Sequence, residues 1–222
     1  RGPDAEGIWL SSDQKAGLAH RRLTIIDLAD QAGQPMANED GEILVTYNGE
    51  IYNHASLRDQ LTAAGHAFRT DHSDTEVIVH GYEEWGLEGL VGRLTGMFAF
   101  AIWDNRKNKL LLARDRVGIK PVYFTRHAGT FLFGSEIKAL LAYPGVPRRV
   151  GGTALYHYLT YLTTPAPMTM FDGIYKLPAA TCMEVDGSGR MRAWRYWRAS
   201  PGHGIEPGRL GKLSGAAREE FL

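Results

Sequence analysis

The segment Tyr47-Asn48-Gly49-Glu50-Ile51-Tyr52-Asn53-His54 gathers residue types that could do chemistry. Asn-Gly is a strong turn signal, because both residues tolerate positive φ at little steric cost. It follows the hydrophobic run Ile43-Leu44-Val45-Thr46-Tyr47, which reads as a strand. A strand ending in Asn48-Gly49 would aim a side-chain amide and a bare backbone N–H at one point. That donor pair is what an oxyanion hole requires. Taken alone, the octapeptide also reads as a plain hairpin turn. A second candidate is Ser73-Asp74-Thr75-Glu76, which has the form of a capping box opening a helix.

Several elements must position these residues. Short strands over 8–10 and 16–23 flank a Ser11-Ser12-Asp13 turn, Ile25-Ile26-Asp27 ends the second, and 29–41 is polar loop containing Gln34-Pro35. Leu57 and Leu61 stand four apart in an amphipathic helix over 54–64, stopped by Gly65. Val77, Ile78, Tyr82 and Trp85 form the apolar stripe of a second helix, which Gly86 ends, and a short third helix is expected over 89–94. From Met97 the pattern changes to strands, over 98–103, 109–114, 122–124 and 130–134. An aromatic helix over 153–162 precedes a Pro- and Met-rich loop. A late hairpin over 181–185 and 190–197 closes around Asp186-Gly187-Ser188-Gly189. Continuous apolar strands bracketing helices predict sheets covered by helices. Residues 198–213 have linker composition, and Ser214 reads as the N-cap of a helix running to Leu222.

Bulk properties narrow the function classes. The 222 residues can form one domain with a sizeable core and part of a second. Lys plus Arg equals Asp plus Glu at 25 each, so no basic face argues for nucleic acid. No apolar run approaches the roughly 18 to 20 residues that span a bilayer. The single cysteine, Cys182, excludes an intrachain disulfide framework and fits a reducing cytoplasm. It reads as a buried, inert thiol. The histidines show no metal-ligand spacing: His66 and His72 are six apart, His54 and His66 twelve. Each is expected to be satisfied or solvated, with no metal bound. Asp186-Gly187-Ser188-Gly189 is glycine-rich but lacks the strand-then-helix context of a phosphate cradle.

Four segments stand in a telling order: His20-Arg21-Arg22-Leu23-Thr24-Ile25-Ile26-Asp27, the Asn-Gly segment, Ser73-Asp74-Thr75-Glu76-Val77-Ile78, and Arg114-Asp115-Arg116-Val117-Gly118-Ile119-Lys120-Pro121. Arg1-Gly2-Pro3-Asp4 and Phe133-Gly134-Ser135-Glu136-Ile137-Lys138-Ala139-Leu140 accompany them. Together they resemble the glutaminase domain of glutamine-hydrolysing asparagine synthetases, a class II glutamine amidotransferase, up to about Trp197. The resemblance implies an α+β fold of the N-terminal-nucleophile hydrolase type, a four-layer αββα sandwich with antiparallel sheets. It implies a domain over 1–197, a linker over 198–213, and over 214–222 the start of an ATP-dependent synthetase domain.

The resemblance also implies roles. Arg22 would clamp the α-carboxylate of L-glutamine, and backbone groups of Leu23, Thr24, Ile25 and Ile26 would line the same pocket. Asn48 and Gly49 would hold the tetrahedral oxyanion, and Glu50 would help to bind the substrate ammonium. Asp74 is the stronger ammonium partner, a role compatible with capping. The charged turn 114–120 reads as structural or interfacial. The aromatic helix would pack against the synthetase domain that accepts the ammonia. The family nucleophile, a cysteine at the mature N-terminus acting with its own α-amine, is not among these residues. Cys182, mid-chain, does not replace it. The chain is therefore expected to be a piece of a longer protein, to lack N-terminal strands, and to be inactive by itself. No cofactor is expected in this piece; ATP and magnesium belong to the synthetase domain, and a homodimer is compatible with the pattern. Two alternatives stay open: an amidotransferase acting on another carboxylate acceptor, and a non-catalytic glutamine-binding or scaffolding relative.

Overall fold

Phe98, Phe100 and Ile102 alternate with Ala99, Ala101 and Trp103, so a single strand presents two different apolar faces. The computed structural model describes residues 2, 4–22 and 33–199, at 22 the backbone alone. Its strands are β1 (Ala5–Leu10), β2 (Gly17–Arg22), β3 (Met36–Ala37), β4 (Ile43–Ile51), β5 (Gly96–Asp104), β6 (Lys109–Arg114), β7 (Tyr123–His127), β8 (Thr130–Gly134), β9 (Ile174–Lys176), β10 (Thr181–Asp186) and β11 (Met191–Arg195). Its helices are α1 (His54–Ala63), α2 (Asp74–Arg93), α3 (Ile137–Leu141) and α4 (Gly152–Tyr161).

Six strands form the main antiparallel sheet, in the order β11-β10-β6-β5-β4-β3, and a three-stranded antiparallel sheet runs β8-β7-β9. Phe98, Phe100 and Ile102 meet Leu57 and Leu61 of α1 and Val77, Ile78, Leu90 and Val91 of α2. The opposite face carries Ala99, Ala101, Leu112, Met183 and Val185, packed on Phe124, Phe131 and Phe133 of the smaller sheet. Leu140 of α3 covers the far side of that sheet with Ile174, Tyr123 and Leu132. The layers are thus helix, sheet, sheet, helix, the αββα arrangement the sequence implied. Each large apolar side chain so buried contributes roughly 1.5–3 kcal/mol. The β1–β2 hairpin packs at one end, Leu18 and Trp9 against Leu44 and Trp103. No helix among the described residues is long and apolar enough to cross a membrane.

Three local readings change. The strand does not stop at Tyr47 with an Asn-Gly turn; β4 runs on to Ile51, with Asn48 opposite Ala99, Gly49 opposite Phe98 and Ile51 opposite Gly96. Nine consecutive pairings with β5 override a two-residue turn preference. The short helix expected over 89–94 belongs to α2, whose break at Gly86 is real, with φ 66° and ψ 179°. Arg116 donates to the carbonyls of Gly92 and Leu94 and satisfies the negative end of that helix.

The capping box is also not made. Ser73 sits at the N-cap without a side-chain cap bond. Glu76 instead accepts from Arg69 N (2.7 Å), Thr70 N (2.9 Å) and Thr70 Oγ1 (2.5 Å), tying the preceding loop to the helix. Burial alone would raise the Glu76 pKa, but the His80 ring 3.6 Å away and these donors bring it down to about 2. A folded pKa below the unfolded one contributes stability that is present above about pH 4.5 and lost as pH falls toward 2. The drop from 4.5 to about 2 corresponds to something on the order of 3 kcal/mol. In denaturant titrations from pH 6 to about 2, wild type should lose most of its advantage over Glu76→Gln below pH 4.5. An advantage constant with pH would contradict this assignment.

Candidate active site

The chemistry of β4 is set by which way its amides point. Asp115 N donates to Phe98 O at 2.8 Å, and Phe98 N to Asp115 Oδ2 at 3.3 Å, so both polar groups of Phe98 face the β6 side. Gly49, opposite Phe98, therefore forms a non-hydrogen-bonded pair, and its own N–H points away from β5. Tyr47 and Ile51 share that direction. Tyr47 N donates to Gln34 Oε1 (2.6 Å), and Ile51 N to Asp74 Oδ2 (3.0 Å). β3 covers this edge only at Leu44 and Val45. The Gly49 N–H lies between two occupied neighbours and has no partner among the described residues.

Gly49 must be glycine here. A Cβ would lie 2.2 Å from Met97 O, 2.8 Å from Phe98 Cα and 2.8 Å from Tyr47 Cε2. Asn48 alternates to the other face of the strand, where its side chain is exposed, and Glu50 on that face is partly buried. Asp74 is buried at the start of α2; its Oδ2 accepts from both Ile51 N and the Tyr47 hydroxyl at 2.7 Å. Burial first, then the Asp74 carboxylate, push the Tyr47 phenol far above its usual pKa, so it stays a proton donor. At the other end of α2, Asn53 bonds Arg93 O and Thr95 N, so both helix ends grip the end of β4.

Gly49 and Asp74 thus meet the same edge of β4, Asp74 through Ile51 N, while the Asn48 and Glu50 side chains stand on the other face of the strand. Arg22 ends β2, which touches β4 through His20 Nδ1 and Thr46 Oγ1 at 3.2 Å, two residues from Arg22 and Asn48 respectively. Leu23, Thr24, Ile25 and Ile26 lie outside the described residues. Sequence reasoning missed Gln34 and Tyr47. The only signal for Tyr47 was a phenol in a strand that must bury it, which obliges the hydroxyl to find a partner. Gln34, in a polar loop, carried none.

Other candidates resolve differently. Cys182 is fully buried, and burial pushes its thiol up to about 12, so it is no nucleophile at neutral pH. Asp115 is fully buried, and its carboxylate accepts from the backbone N–H groups of Phe98, Val117, Ile119 and Lys120. The Arg114 guanidinium beside it donates to the carbonyls of Gly118, Lys120 and Leu177. The charged turn is a self-satisfied structural knot. Asp186 closes its glycine-rich hairpin onto Ser188 and Arg190, so those residues do not fit a nucleotide phosphate. His80 departs from the expectation of a satisfied histidine: both ring nitrogens are buried without a hydrogen-bond partner among the described residues.

The model of the glutamine amidotransferase domain family matches residues 1–197. The chain belongs to that family. Relatives of this amidotransferase domain include asparagine synthetase (glutamine-hydrolyzing) 3 of Bacillus subtilis (strain 168), 41% identical over 200 residues, covering 89% of this chain and 32% of the relative. Asparagine synthetase (glutamine-hydrolyzing) 2 of the same organism is 50% identical over 149 residues, 67% of this chain and 19% of its own length. The chain thus spans about a third or less of the curated relatives it matches. Among solved structures, the B. subtilis glutamine phosphoribosylpyrophosphate amidotransferase complexed with ADP and GMP superposes with a TM-score of 0.58 at 18% identity, covering 82% of this chain and 35% of that one. At that identity the likeness concerns the fold: this amidotransferase domain shares the N-terminal-nucleophile hydrolase sandwich.

Proposed function

We propose that this domain hydrolyses L-glutamine and that the complete protein uses the ammonia to amidate aspartate with ATP and magnesium. The observation that carries the reading is the Gly49 N–H, held between two bonded neighbours at the open edge of β4. With the Asn48 amide it would hold the oxyanion formed when the glutamine carboxamide is attacked, each donor contributing about 3 kcal/mol to the barrier reduction. Arg22 would hold the substrate carboxylate bidentately. Asp74 would hold the ammonium, assisted by Glu50, and the backbone of Leu23 to Ile26 would line the pocket. ATP and magnesium would be held outside these residues, where they would activate the acceptor carboxyl. The exposed face of α4, with Tyr156, Leu159 and Tyr161, supports contact with the ammonia-accepting domain.

The test is ammonia release from glutamine by the complete protein, with and without ATP, magnesium and aspartate. Asparagine formation coupled to hydrolysis is expected. Because Asn48 is exposed, Asn48→Ala should fold normally and lower kcat for glutamine about a hundredfold. Unchanged turnover in that variant would remove the oxyanion role. Hydrolysis without asparagine would move the acceptor to another carboxylate; a 35% identical relative bearing the name amidase chry2, from Gibberella zeae, gives that arm a reason.

A further inference from the structure

We propose that His66, His80 and Glu83 form a binding site for one borderline divalent cation, of which zinc is the natural representative. His80 is 1% exposed, and neither ring nitrogen has a hydrogen-bond partner among the described residues. An imidazole so buried and so unpartnered is uncommon and calls for an explanation. Its Nδ1 lies 3.6 Å from Glu83 Oε2, and its Nε2 lies 3.6 Å from Glu76 Oε1 and 3.7 Å from Glu39 Oε1. All three distances are too long for hydrogen bonds.

Two further ligands converge on this ring. His80 and Glu83 are three apart on α2 and share a helix face. His66 arrives from the segment after α1, its ring centroid 5.0 Å from that of His80. One ligand atom from each of His66, His80 and Glu83 lies within 4.8 Å of the other two. A tetrahedral zinc with ligands about 2.1 Å away holds them about 3.4 Å apart, so closing the site takes a movement of about 1 Å. His66 sits just past α1, its N–H bonded to Leu61 O, and rotation of its partly exposed side chain can supply that movement.

The surroundings suit a metal-bound imidazole. Glu83 Oε1 is already held by Asn38 Nδ2 at 2.7 Å, which fixes the carboxylate and leaves Oε2 toward His80. With Nδ1 on the metal, the Nε2–H of His80 faces Glu76 and Glu39, the carboxylate acceptors that commonly orient a ligating histidine. Phe68 packs edge-on against the ring at 4.7 Å and limits access of water. Glu84 Oε2, 3.3 Å from His66 Nε2, is at hand as a fourth ligand or an outer acceptor. Two imidazoles and a carboxylate select zinc or cobalt over magnesium and calcium, which prefer oxygen donors. Bound metal would tie the segment after α1 to the middle of α2.

Chelator-treated protein should be titrated with Co²⁺, following its visible ligand-field absorption, and then displaced with Zn²⁺. One equivalent of each is expected. His66→Gln and Glu83→Gln should each weaken zinc binding at least about tenfold, while His72→Gln, at an exposed position, should not. Urea midpoints of the metal-free variants distinguish loss of ligation from loss of fold, since His66 is partly exposed and the amide that replaces the Glu83 carboxylate keeps an acceptor for Asn38. Absence of saturable binding, or binding that survives both ligand substitutions, overturns the proposal and leaves His80 as a packing residue among three carboxylates.

Discussion

Asp115→Ala is expected to lower the unfolding free energy by about 4 to 6 kcal/mol, a large share of the roughly 5–15 kcal/mol that holds a domain together. The carboxylate is fully buried and takes four backbone donors, from Phe98 at 3.3 Å, Val117 at 3.2 Å, Ile119 at 2.9 Å and Lys120 at 2.9 Å. Alanine returns nothing to them. A buried donor left without an acceptor costs about 1–3 kcal/mol, and not all four can recover water at once. The loss would spread, because the Asp115 backbone also joins β5 to Ala180, just before β10. Asp115→Asn, which keeps one acceptor oxygen, should fall between wild type and alanine. Urea unfolding followed by tryptophan fluorescence checks the series; a loss below about 1 kcal/mol for alanine would show that the turn is held by something else.

Gly49→Ala is the second large effect, and it should appear in stability and in turnover together. A methyl at this position would need to sit 2.2 Å from Met97 O, and backbone cannot rotate aside as a side chain can. Separating β4 from β5 would strain a ladder of nine pairings that continues to Gly96, where a Cβ would meet Glu50 O at 2.2 Å. Overpacking of this kind costs typically 1–3 kcal/mol, and close contact with two backbone atoms of β5 puts the expectation at or above about 3 kcal/mol. Any fraction that folds should present a displaced Gly49 N–H and lose glutaminase turnover with it. A variant as stable as wild type would mean that the strands separate more easily than the ladder implies.

The legibility of this chain followed how local each signal was. Lys109–Arg114 and Thr130–Gly134 have the predicted limits, because continuous apolar runs bounded by turn residues need no outside information. The break at Gly86 was readable for the same reason: only glycine enters that backbone region freely. Asn48-Gly49 misled because its turn preference is local and its pairing with β5 is not. Ser73-Asp74-Thr75-Glu76 misled because Glu76 found better-placed donors at Arg69 and Thr70. β3 and β9, two and three residues long, carry no periodicity to read, and the five-residue helix α3 went unread as well. In the candidate site, Asn48, Gly49 and Asp74 were singled out as candidates from motifs. The direction of the Gly49 N–H was not, since it depends on which side of β5 the amides of Phe98 take.

The bonds made by Tyr47 and Ile51 have a consequence for ligand recognition. A donor on a loop must surrender motion when an acceptor arrives, and that loss of entropy subtracts from affinity. The Gly49 amide has already surrendered it, because its two neighbours on the same edge are fastened to Gln34 and Asp74 before any ligand is present. An oxygen arriving at this edge meets a dipole whose direction was fixed during folding, so the ordering cost belongs to the stability of the strand and not to the binding event.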